Sequence, residues 1–195
     1  MTLSWHTSTG LPVRSVRSLS AEKCGECSSL FKSLLVNIKG VLDNHDSCYG
    51  IAPNLMEVRN TVETVQACAP NLTQTSGCMM QRNSSFSERE CLGNIMKDLA
   101  HYAAAIQSYV NSSMRSSKEA ELLNSTLGII QRLRKDCSLK PNEEDDSSEE
   151  GAAQMWGTDT YDNRQKMCKM MRGFQVRTIT INRAMGYISS GDHMK

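Results

Sequence analysis

The sequence predicts an all-α fold, a four-helix bundle running up-up-down-down, on three observations. Apolar residues recur at spacings of three and four in four separate segments of the 195-residue chain, the mark of amphipathic helices. The connections between these segments are long, short and long. A short link forces antiparallel neighbours, whereas a long one can cross the whole bundle and leave neighbours parallel. The chain is also long enough to bury a core as one domain. A bundle with short links throughout has no room for the roughly forty residues ahead of the second helix.

Residues 1–20 are expected to form a mobile arm, and they contain no continuous apolar run of the kind that makes the core of a signal peptide. The bundle is expected over 21–190, with a tail at 191–195. Its first helix, about 22–43, carries Leu30, Phe31, Leu34, Leu35, Ile38, Val41 and Leu42 at helical spacing and stops before Asp43-Asn44-His45-Asp46. Residues 45–86 lack sustained periodicity and contain Gly50, Pro53, Pro70 and Gly77, so they read as a long connection with room for a short helical turn over Leu55–Val65. The second helix, about 88–110, opens on a capping box, Ser87 with Glu90, in which each side chain satisfies the other's orphan backbone N–H. It turns Cys91, Leu92, Ile95, Leu99, Tyr102, Ala103, Ile106 and Val110 inward, and Asn111-Ser112-Ser113 breaks it. Another capping box, Ser116 with Glu119, starts a third helix at about 117–136 through Leu122, Leu123, Leu127, Ile130 and Leu133, and Pro141 bars its continuation. The acidic loop 141–151, with Glu143-Glu144-Asp145-Asp146-Ser147-Ser148-Glu149-Glu150, repels itself and reads as solvated and disordered.

The fourth helix, about 159–189, has two apolar faces where an ordinary surface helix has one. Met167, Met170, Phe174, Ile181, Met185 and Ile188 fall in a narrow arc and read as the core stripe. On the opposite side Arg172, Val176, Ile179, Arg183 and Tyr187 recur at spacings of three and four. Arginine and tyrosine among aliphatic neighbours are what the centre of a protein–protein interface is made of. The plainer alternative is a helix buried on both sides within one domain.

Eight cysteines in a chain of this size favour the disulfide chemistry of a secreted protein. Four sequons, at Asn71, Asn83, Asn111 and Asn124, point the same way. A net charge of +1 gives no case for nucleic acid, and no stretch approaches the length of apolar sequence that inserts into a membrane. Cys24-Gly25-Glu26-Cys27 has the spacing of a redox or zinc motif, but no second pair, spaced histidines or βαβ pattern accompanies it. His6, His45, His101 and His193 are scattered, with no nucleophile in a recognisable motif. The reading is a binding protein without cofactor or metal, not an enzyme.

Up-up-down-down is the long-chain cytokine topology, and two blocks of sequence sharpen that. One runs Thr61-Val62-Glu63-Thr64-Val65-Gln66-Ala67-Cys68 through Cys78 to Cys91-Leu92-Gly93-Asn94-Ile95-Met96-Lys97-Asp98-Leu99. The other is Phe174-Gln175-Val176-Arg177-Thr178-Ile179-Thr180-Ile181-Asn182-Arg183-Ala184-Met185-Gly186-Tyr187. In these blocks the chain resembles the interleukin-12 alpha subunit family, the helical members of heterodimeric cytokines; from Cys24 to Tyr187 outside them, helix pattern and cysteine placement alone match. The resemblance implies a secreted, glycosylated subunit that pairs with a soluble receptor-like beta subunit, binds interleukin-12 receptor beta chains on lymphocytes and promotes interferon-gamma production and type-1 immunity. Carried over by position, Arg183 is the arginine that inserts into an acidic pocket of the beta subunit, a task that suits a planar guanidinium able to pair with a carboxylate through two hydrogen bonds. Tyr187, Val176, Ile179 and Arg172 share its stripe. Tyr161 matches the receptor-facing aromatic ahead of the fourth helix, with Trp156 nearby to share the role. The alternative for Tyr161 is a loop aromatic covering the bundle end, and for the whole chain a self-sufficient helical cytokine acting without a beta chain.

The resemblance also implies disulfides Cys24–Cys78, Cys48–Cys168 and Cys68–Cys91; eight cysteines allow 105 pairings, so the sequence alone does not choose these. Cys27 and Cys137 are additional: helix one starts where helix three ends, so they can bridge internally, or one of them bonds the partner. The mammalian pattern has a further cysteine in the first connection that bonds the beta subunit. This chain is shorter there, which points to a non-mammalian vertebrate form and leaves the interchain bond open, with Cys78 matching either position.

Overall fold

The computed structural model describes residues 19–51, 68, 72–74, 80–82, 87–112, 117–139 and 156–190. Four long helices hold the described core: α1 (Ala21–Asp43), α2 (Glu88–Asn111), α3 (Ser117–Asp136) and α4 (Thr160–Ser189). Between α1 and α2 lies a two-stranded antiparallel ladder absent from the sequence expectation, β1 (Leu72–Gln74) with β2 (Met80–Arg82), in the register Leu72 opposite Arg82. Three-residue strands are shorter than one readable period of alternation, so no pattern announces them. The expected arm up to residue 18, the helical turn at Leu55–Val65, the whole acidic loop 141–151 and the tail 191–195 fall outside the described residues, as do Asn71, Cys78, Asn83 and Ser116.

The helices begin where side-chain oxygens can take up free backbone N–H groups. Ser20 accepts from the Lys23 amide at 3.3 Å, Ser87 from that of Glu90 at 3.2 Å, and Asp159 from those of Tyr161 and Asp162 at 2.7 and 3.0 Å. Leu19 packs against the core and its amide donates to Glu88 Oε1 at 3.2 Å, so the end of the expected arm ties the start of α1 to the start of α2.

Directions follow from which residues meet. Cys27 joins Cys137, and Asn37 holds Ser125 and Thr126 through 3.0 and 2.5 Å hydrogen bonds, so α1 and α3 run antiparallel. Cys48 joins Cys168, and Asn182 Nδ2 donates to the Phe31 carbonyl at 3.0 Å, so α1 and α4 do too. Arg177 meets Asp98, and the Tyr102 ring stacks on Phe174 with centroids 4.0 Å apart, which sets α2 against α4. Helices one and two are therefore parallel to each other and opposed to three and four. This is the up-up-down-down four-helix bundle. Its interior is built from Phe31, Leu34 and Ile38 of α1, Ile95, Leu99 and Ile106 of α2, Leu123, Ile130 and Leu133 of α3, and Met167, Met171, Phe174, Ile181 and Met185 of α4, all fully buried. Met170, expected in the core stripe, is half-buried at its edge, and Met171 and Thr178 lie inside.

Candidate functional site

Once α4 has turned Met167, Met171, Phe174, Ile181, Met185 and Ile188 inward, its opposite side has to face outward or meet another layer. Over its first three turns it meets the residues that follow α1. Arg164 Nη2 donates to the Asp46 carbonyl at 3.1 Å, Cys168 is bonded to Cys48, and Arg172 Nη2 donates to the Ile51 carbonyl at 2.8 Å. Arg172, expected to face a partner, is thus half-buried and engaged within its own chain. Beyond this strap the stripe opens to solvent at Val176, Ile179 and Arg183. Val176 and Ile179 are 36% and 37% exposed, Arg183 is exposed, and Tyr187 is half-buried. The helix is therefore not buried on both sides by described residues. Arg183 forms no ion pair among the described residues, so its guanidinium is available to a carboxylate from outside.

A second arginine of α4 is placed quite differently. Arg177 is 5% exposed and its Nε lies 3.2 Å from Asp98 Oδ2 on α2. It occupies a core register, three residues after Phe174 and four before Ile181, and that spacing was the available signal for it.

The start of α4 carries Tyr161, 61% exposed. Trp156 does not stand beside it in solvent. It is half-buried, with its ring edge-on to Tyr109, centroids 5.0 Å apart. Asn163, 2% exposed, folds the intervening loop back by accepting from the Gly157 amide at 2.9 Å and donating to the Gly157 carbonyl at 2.8 Å. Beneath, the Tyr109 hydroxyl donates to Glu119 Oε1 at 3.1 Å, and Arg164 Nε is 3.9 Å from the same oxygen. Glu119 is 1% exposed and its carboxylate accepts from the tyrosine; Ser116, its partner in the expected capping box, lies outside the described residues. The first box forms in its Ser87 half, while the neighbouring Glu88 holds the incoming Leu19.

Among the described residues, disulfides join Cys27 to Cys137, Cys48 to Cys168 and Cys68 to Cys91. Cys24 carries none, so the expected Cys24–Cys78 bond is not seen; the thiol is buried, 3.8 Å from the Leu19 carbonyl, and Cys78 lies outside the described residues. Burial and the nearby Glu88 carboxylate push the Cys24 thiol up, which favours its protonated form. With Cys27 and Cys137 joined to each other, neither is offered to a partner. Of the sequons, Asn111 ends α2 and Asn124 sits on α3, both exposed. No helix of the described residues is long and apolar enough to cross a membrane, and none of their acidic, histidine or cysteine side chains cluster as metal ligands.

The family model of the interleukin-12 alpha subunit matches residues 55–191, most of the chain and the whole of α4. The chain belongs to the interleukin-12 alpha subunit family. It is 27% identical over 149 residues to interleukin-12 subunit alpha of Mus musculus, covering 68% of this chain and 66% of that one. To the subunit of Marmota monax it is 23% identical over 192 residues, covering 85% and 83%, and to that of Homo sapiens 25% over 148 residues, covering 68% and 65%. The chain thus spans just under two thirds of the length of the mouse and human relatives. Membership in the interleukin-12 alpha subunit family agrees with the helical bundle and its internal disulfides, and this family is not one of enzymes.

Proposed function

We propose that this chain is a secreted, glycosylated cytokine subunit that acts by binding: the outer stripe of α4 docks a receptor-like beta subunit to form interleukin-12, and the end carrying Tyr161 meets an interleukin-12 receptor beta chain on lymphocytes, promoting interferon-gamma and type-1 responses. One observation carries the reading. On the outer side of α4, Val176 and Ile179 are exposed on the same stripe as Arg183, a cation free of ion pairs among the described residues. Aliphatic groups in one helical row with an unpaired arginine are a hot-spot composition, and an acidic pocket would pair that arginine through two hydrogen bonds. Arg172 supports the surface from behind through Ile51, and Tyr187 closes it one turn past Arg183.

The experiment is co-expression with a beta subunit. Expressed alone, the chain is expected to secrete poorly because its apolar stripe stays open, and the beta subunit should rescue it. Arg183→Glu should abolish co-purification while leaving helix content by circular dichroism unchanged. Efficient secretion of an active monomer would establish the self-sufficient cytokine instead, and pairing that survives Arg183→Glu would remove the stripe from the interface.

A further inference from the structure

Of the large apolar side chains exposed among the described residues, Val176 and Ile179 lie on the outer stripe of α4 and Val36 on α1; the other two are tyrosines, Tyr49 and Tyr161, 59% and 61% exposed. Both stand at the pole where α1 ends and α4 begins. Tyr161 precedes Cys168 by seven residues, nearly two helical turns, so the two project from the same side about 10 Å apart along the axis. Cys168 holds Cys48 by a disulfide, and Tyr49 is the next residue. Between the two levels Arg164 donates to the Asp46 carbonyl. The turn bearing Tyr49 is accordingly laid on the same face of α4 that carries Tyr161, well within the span of one ordinary interface of about 800 Å² per partner.

That turn is rigid for reasons of its own. Asn44 accepts from the amide of Asp46 through its side chain and from those of Ser47 and Tyr49 through its carbonyl, at 2.8, 3.1 and 3.0 Å. Gly50 takes φ of 76°, a conformation open to glycine at no steric cost, and releases the chain toward Ile51. His45 lies against the Tyr49 ring, centroids 3.9 Å apart, fixing its direction. The Lys118–Asp46 pair at 2.9 Å supplies a charged, exposed rim. An aromatic side chain that is mostly exposed adds little to its own fold, yet this one is held still by a disulfide, a turn and a histidine ring in contact at a tilt of 43°. Preorganised tyrosines with a polar rim are what binding surfaces use to gain contact area at small entropic cost.

We propose that Tyr49, backed by His45, is a second aromatic contact for the receptor chain that Tyr161 meets, so that the receptor-facing surface is a pair of tyrosines bridged by the Cys48–Cys168 disulfide. This rests on the reading of Tyr161 given above. The test uses the assembled alpha–beta heterodimer and immobilised ectodomains of the interleukin-12 receptor beta chains, with binding followed by surface plasmon resonance. Tyr49→Ala should weaken binding about tenfold or more, chiefly through faster dissociation, while Tyr49→Phe stays within about threefold of the parent. Beta-subunit pairing and helix content should be unchanged in both. If Tyr161→Ala loses receptor binding and Tyr49→Ala does not, the second contact is overturned and the Tyr161 reading stands. If only Tyr49→Ala loses it, the Tyr161 reading falls and the proposed tyrosine pair falls with it, leaving Tyr49 as a lone contact. Both fall if neither variant weakens binding. Loss of beta pairing in Tyr49→Ala would place the turn in the other interface and overturn the proposal.

Discussion

Cys24 shows at the scale of one residue how environment decides chemistry. It shares a Cys-Gly-Glu-Cys spacing with reactive dithiols, but Cys27 is bonded to Cys137 and Cys24 is buried beside Glu88, so its thiol is held protonated. Burial and the carboxylate favour the proton in the native state relative to the unfolded one. Below the ordinary thiol range both states are protonated and the contribution to stability is complete; as pH rises, the unfolded chain ionises first and stability falls until the native thiol also ionises. In native protein at pH 8, iodoacetamide should therefore modify Cys24 roughly a hundredfold more slowly than a free thiol, as read by mass spectrometry of its peptide, with full reactivity in urea. Rapid native labelling would show the thiol to be exposed and ionised. Three other residues, Glu119, Asn163 and Arg177, escaped the sequence reading for a common reason. Each sits at a core register, four before Leu123, four before Met167 and three after Phe174, where a polar side chain is most simply assigned to a cap or to solvent. Their roles depend on particular partners, Gly157 for Asn163, Tyr109 for Glu119 and Asp98 for Arg177, and periodicity contains no information about partners.

For single elements, apolar spacing made the all-α class legible, because Phe31, Leu34 and Ile38, or Phe174, Ile181 and Met185, can share one face only in a helix. The β1–β2 ladder had no such signal, and the strap over Arg172 had none either, since its contacts are from a side chain to backbone carbonyls 118 and 121 residues away. Among the described residues, packing between α2 and α4 includes an ion pair of buried Arg177 with half-buried Asp98, whose side chains are 6% and 21% exposed. Asp98→Ala leaves a desolvated guanidinium in the α2–α4 contact beside the Tyr102–Phe174 stack, and should destabilise the bundle by about 2–4 kcal/mol in urea unfolding. The double replacement Asp98→Leu with Arg177→Met, which removes both charges and keeps apolar volume, should recover most of that loss. A double variant no more stable than Asp98→Ala would mean that the pair does more than satisfy itself.

Across the whole molecule, connection lengths alone carried the up-up-down-down order, and that order brings cysteines far apart in sequence to common poles. Cys27–Cys137 and Cys48–Cys168 span 110 and 120 residues, one at each end of α1. In the unfolded chain the two bonds shorten each other's loop: with one intact, the covalent path closed by the other is about half its sequence separation, so each is worth roughly 4 kcal/mol by chain entropy. Removing either pair, as Cys27→Ala/Cys137→Ala or Cys48→Ala/Cys168→Ala, should leave a folded bundle with a lower urea midpoint. Removing both exposes the full loop, because no shortcut remains between α1 and the later helices, and the combined loss of roughly 8–9 kcal/mol reaches the whole stability of an ordinary domain. The quadruple variant should therefore lose cooperative unfolding and secretion while each double keeps them. The doubles differ in a second respect. Only Cys48→Ala/Cys168→Ala frees the turn bearing Tyr49 from α4, so receptor binding should fall in that variant and not in Cys27→Ala/Cys137→Ala, even when the two are matched in stability; equal losses would mean that the bond at the Tyr49 pole acts through stability alone.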